Sequence, residues 1–96
     1  MTTSLLDRPL ELDPQVALRP EPFGALAYHY GNRRLVFLKH PDMVNVARHL
    51  GEHPSLAATL TACDVAEGRW PSFATAFESL IESHVVRERH IEESTS

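Results

Sequence analysis

Cysteine is nearly absent. Cys63 stands alone in 96 residues, so no internal disulfide can form, and a cytosolic setting fits better than a secreted one. Glycine is scarce too, with four residues scattered at apparent turns and stops. None opens a phosphate-binding loop, and HExxH and nucleophile-elbow motifs are missing, which counts against an autonomous enzyme. No apolar run approaches the roughly 18 residues of a membrane span, and the start, MTTSLLDRPLELD, lacks the basic opening and continuous apolar core of a signal peptide. A basic surplus is missing as well: the formal charge is -4, whereas a nucleic-acid binder draws most of its affinity from neutralising phosphates.

What is present is the composition of one globular domain. Apolar residues make up 43% and charged residues 23%, close to the globular average and unlike a disordered chain. The length suits one core with polar ends. The expected division is a flexible N-terminal segment over 1–13, a folded domain over 14–88 and a polar C-terminal tail over 89–96. Leu5, Leu6, Leu10 and Leu12 are expected to be loosely ordered, able to dock on the domain or on a partner.

From Val16 the pattern turns strand-like until Pro20 and Pro22, residues that belong at a sheet edge or a strand end. Gly24 to Tyr30 reads as a second strand. Gly31-Asn32 offers two residues tolerant of positive φ for a tight hairpin, and Arg34 to Lys39 reads as the third strand. That register sets Tyr28 opposite Leu35 and Leu26 opposite Phe37 on one face, with Ala25, Ala27 and His29 against Leu38, Val36 and Arg34 on the other. Both faces are mainly apolar, and the pattern does not say which is core.

Three helices are expected next. Met43, Val46, Ala47 and Leu50 share a face, with Asp42 as the N-cap and Gly51 as the stop. Ser55 caps a second helix carrying Leu56, Leu60 and Cys63 on one side and ending near Gly68. Pro71 and Ser72 open a third, whose stripe is Phe73, Phe77, Leu80, Ile81 and His84. By default that stripe is core, Trp70 is a packing anchor and Cys63 a small core residue. Six histidines raise the question of a metal, but Gly51 and Pro54 break the helix that would align His49 with His53, and no ligand pattern repeats. Arg33, Arg34 and Lys39 flank the apolar run either as gatekeepers against aggregation or as contacts to an acidic partner.

The run LRPEPFGALAYHYGNRRLVFLKHPDMVNVARHL, with HPS before the second helix and WPSF before the third, resembles the mycofactocin biosynthesis chaperones (MftB-like), relatives of the pyrroloquinoline-quinone peptide chaperone (PqqD-like). The resemblance covers Gln15 to Val86. It implies an α+β, winged-helix-like recognition domain of three antiparallel strands followed by three helices. It also implies a non-catalytic, cytoplasmic carrier that binds a ribosomally made precursor peptide and presents it to a radical S-adenosylmethionine maturase. Iron–sulfur clusters and S-adenosylmethionine would belong to that enzyme, leaving this chain without cofactor, metal, nucleic acid or membrane. In related domains the precursor adds as a strand. Carried over, the peptide site is Arg34, Leu35, Val36, Phe37, Leu38 and Lys39, with a helix wall of Phe73, Ala76, Phe77 and Leu80. Two alternatives remain open at this point: a winged-helix DNA-binding regulator, and a module that dimerises through its open strand edge.

Overall fold

The computed structural model describes residues 5–89, so the far N-terminus and the 90–96 portion of the expected polar tail lie outside the described residues. Five strands and three α-helices follow one another as β1 (Leu10–Leu12), β2 (Val16–Glu21), β3 (Gly24–His29), β4 (Leu35–Leu38), α1 (Pro41–His49), α2 (Leu56–Ala62), α3 (Trp70–Glu82) and β5 (Val86–Glu88). Strands β2, β3 and β4 form an antiparallel sheet in that order, and β1 pairs antiparallel with β5 in a separate ribbon. The architecture is α+β, a three-stranded sheet followed by three helices.

The β3–β4 register is the one the sequence pattern gives, with Tyr28 opposite Leu35 and Leu26 opposite Phe37. The turn between them differs. His29 and Arg34 close a four-residue loop, and the left-handed residue is Arg33 (φ 61), not Gly31 or Asn32. Buried His29 organises this loop: its Nδ1 accepts the N–H groups of Gly31 at 3.0 Å and Asn32 at 3.1 Å. Gly31 is required by space instead of dihedral freedom, since an added Cβ would meet the Gln15 side chain and the His29 ring.

The small-residue face is the core. Ala25 and Ala27 are fully buried, and the absence of bulk there lets α1 lie against β3. Val46 and Ala47 of α1, Leu56 and Leu60 of α2, and Phe77 of α3 complete the interior. At the start of β3, Gly24 adopts φ +149, and an added Cβ would run into the carbonyl oxygen of Leu38. Only glycine fits that conformation and that approach.

Helix ends depart from expectation in three places. Helix α1 starts at Pro41 with His40 as N-cap, because proline's fixed φ suits the first helical position. Asp42 therefore sits in the first turn, where its charge still favours the helix dipole. Helix α2 keeps its expected cap, Ser55 Oγ accepting from the Ala58 N–H at 3.1 Å. It ends at Ala62, however, well before Gly68, through bonds from Val65 N to Leu60 O and from Asp64 N to Thr61 O. Helix α3 ends in the same way, with Val85 N bonded to Leu80 O and His84 N to Ile81 O. Both are Schellman closures with a non-glycine residue, Asp64 or His84, in the left-handed position. Consequently His84 is exposed and does not continue the apolar stripe.

The segment expected to be a loose tail is anchored. Leu10 is 1% exposed, and Leu5, Leu6 and Leu12 pack on the core. Glu11 faces Arg87 across the β1–β5 ribbon in an ion pair at 2.6 Å, and Arg8 reaches Glu88 at 3.0 Å. Three-residue strands carry too little alternation to be read from sequence, and their partners here lie at opposite ends of the domain.

Candidate peptide-binding edge and cleft

Strands β2 and β4 are the two outer strands of the sheet, and β2 carries Pro20, which has no N–H to offer a further strand. Antiparallel pairing alternates residues that bond the neighbour with residues that point away. The His29 N–H donates to Arg34 O at 3.0 Å, which fixes that phase: Arg34, Val36 and Leu38 turn their backbone groups toward β3. Leu35 and Phe37 therefore direct N–H and C=O outward, along an edge that no described strand covers. Such an edge is a template for another strand.

Beyond the C-terminal end of β4 lies a cleft of ≈ 240 Å³, lined by His40 and Met43 on one side and by Arg69, Ser72, Phe73 and Ala76 on the other. Several sequence features converge to build it. Pro41 turns the chain into α1 directly after β4, and Pro71 lies in the opening turn of α3. The indole N–H of Trp70 donates to the Val65 carbonyl at 3.0 Å, tying the start of α3 to the loop before it. The Arg69 guanidinium stands 5.2 Å over the Phe73 ring and pairs with Asp42 at 3.0 Å. One wall is thus apolar and the mouth is charged.

Of the residues assigned to the peptide by resemblance, Leu35 and Phe37 are exposed, at 57% and 58%, as are Arg34 and Lys39. Val36 is half-buried and Leu38 is core. The helix wall divides. Phe73, only 6% exposed, and Ala76 line the cleft, whereas Phe77 at 0% and Leu80 at 3% lie in the core and form no part of its lining. A 3.6-residue stripe marks what a helix buries and does not separate a groove wall from the core beneath it. The cleft also takes in His40, Met43, Arg69 and Ser72, which no sequence pattern marks. Arg69 precedes the WPSF motif, but nothing local links it with Asp42, its partner from another helix.

Electrostatics add one asymmetry. Arg33, Arg34 and Lys39 have no ion-pair partner among the described residues, although the chain carries a formal charge of -4. Also among the described residues, no three His, Cys, Asp or Glu side chains gather as metal ligands, and no helix is long and apolar enough to cross a membrane.

Comparison with known proteins gives one consistent result. A family model described as the peptide chaperone MftB family matches residues 9–87. A peptide chaperone MftB of Mycolicibacterium smegmatis is 43% identical over 75 residues, covering 78% of this chain and 74% of that protein. One of Mycobacterium ulcerans is 41% identical over 80 residues, covering 83% and 73%. One of Mycobacterium tuberculosis is 46% identical over 59 residues, covering 62% and 54%. No solved structure matches.

Proposed function

The chain belongs to the peptide chaperone MftB family, and we propose that it performs that family's task by taking its peptide as a fourth strand on the open edge of β4. It is a non-catalytic chaperone of mycofactocin biosynthesis, binding the precursor peptide and delivering it to a radical S-adenosylmethionine maturase. The chemistry belongs to the maturase. We read the fold as a winged-helix-like peptide recognition domain. Its boundary is better drawn from Leu5 than from residue 14, because Leu10 is part of the core.

One observation carries the mechanism: the outward backbone groups of Leu35 and Phe37 lie on an uncovered edge, next to a cleft walled by Phe73 and Ala76. A peptide strand satisfies those groups, and its side chains alternate between the two sheet faces. An inward-pointing apolar side chain near the end of β4 enters the cleft, while Arg69 at the mouth is placed to meet a carboxylate. Because a disordered precursor loses conformational entropy on binding, affinity is expected on the order of micromolar, about -8 kcal/mol.

Amide exchange tests this directly. In the free protein Leu35 and Phe37 should exchange fast, while Val36 and Leu38, bonded to β3, exchange slowly. Saturating precursor should slow Leu35 and Phe37 selectively. If the precursor binds and these two amides stay fast, strand addition at β4 is wrong.

A further inference from the structure

The outer face of the sheet is left bare by everything described so far. The interior lies on the Ala25, Ala27 and Leu38 side, so Leu26, Leu35 and Phe37 face away from the helices. Phe23 packs on Phe37 with ring centroids 5.6 Å apart, and Tyr28 meets Tyr30 edge-on at 5.1 Å. Phe23, Tyr30, Leu35 and Phe37 are all at least 40% exposed. Single exposed apolar residues are ordinary, but a contiguous apolar face on a small domain marks an interaction surface. A peptide added beside β4 lies in the plane of the sheet and leaves this face open.

Charge distinguishes between occupants. The face is bordered by Arg33 at the hairpin and by Lys39 after β4, cations without an ion-pair partner among the described residues. A second copy meeting this one along β4 with Leu35 opposite its Phe37, the register in which the outward groups bond each other, would carry Arg33 toward the other copy's Lys39, and like charges brought opposite are destabilising. A partner carrying carboxylates around an apolar patch is complementary instead. The face is also continuous with the β4 edge, so a partner seated on it stands beside the delivered strand.

Resting on the strand-addition reading, we propose that this outer face, centred on Leu26, Leu35 and Phe37, is the docking surface for the maturase, through an apolar patch rimmed by carboxylates. The test uses the full chain with purified maturase and saturating precursor, and compares wild type with Ala17→Glu and Phe23→Ser. Ala17, on β2, pairs with Tyr28 of β3 and lies two strands from the peptide edge, or roughly 10 Å. Phe23 lies outside the strands at the other end of the face. Each variant should weaken maturase binding at least about tenfold, the effect of losing one interface hot spot, with precursor affinity and melting temperature unchanged. Wild-type maturase affinity in a folded variant overturns the proposal. So does a dimer, seen by light scattering, that Ala17→Glu dissociates without loss of maturase binding. Failure of strand addition itself is read separately, from the Leu35 and Phe37 amides.

Discussion

Asp42 and Arg69 pair at 3.0 Å across the mouth of the cleft, joining the first turn of α1 to the start of α3. Their side chains are 58% and 53% exposed, so the pair contributes under about 1 kcal/mol to stability. Asp42→Asn should leave the melting temperature nearly unchanged while releasing the guanidinium above Phe73 for a precursor carboxylate. Calorimetric titration is expected to show severalfold tighter precursor binding at low salt and no gain at high salt, where exposed charges are screened. Equal affinity at low salt would remove Arg69 from charge recognition.

Phe77 and Ala76 are adjacent in sequence and opposite in consequence. Phe77 is fully buried, and Phe77→Ala should destabilise the domain by about 3–5 kcal/mol, a large part of the total stability of a small domain. Ala76 lines the cleft, and Ala76→Phe should fill it, weakening precursor binding with little change in melting. Denaturant unfolding and calorimetry on both variants check this; a folded Phe77→Ala that has merely lost peptide affinity would return Phe77 to the binding wall.

Leu10 places the N-terminal segment inside the fold. Its side chain is 1% exposed, so Leu10→Ala is expected to cost about 2–4 kcal/mol. Removing residues 1–13 should cost more, since β5 then loses its only strand partner among the described residues. Thermal melts measured by circular dichroism decide this; a truncated chain that melts like the full one would restore the loose tail.

Burial pushes the Cys63 thiol above its ordinary pKa, and the nearby Glu52 carboxylate adds to the effect. Because the folded state holds this proton more tightly than the unfolded chain, the thiol's contribution to stability is intact below the pKa of the free thiol. It is lost as pH rises through the folded value. Cys63→Ser should flatten that alkaline decline. Urea midpoints between neutral and alkaline pH, compared for the two proteins, provide the check, and identical slopes would refute it.

The sequence by itself determined what depends on neighbours along the chain. The hairpin register follows from a turn centred on Gly31-Asn32, which sets Tyr28 opposite Leu35 whether the loop holds two residues or four. Ser55 set the start of α2, since its hydroxyl needs only a backbone N–H three residues on. The three helices were legible from their apolar periodicity, and the RPEPFGALAYHYGNRRLVFLK block carried the family.

The tertiary structure decided whatever depends on residues far apart. Two apolar sheet faces cannot be told apart by pattern, and the core went to the alanine face because a helix approaches closest where side chains are small. The same packing left Leu35 and Phe37 in solvent and drew Phe77 and Leu80 out of the candidate groove. The β1–β5 ribbon and the Asp42–Arg69 pair join segments with no sequence signal in common. Only the assembled molecule places an open strand edge, a cleft and a bare apolar face side by side.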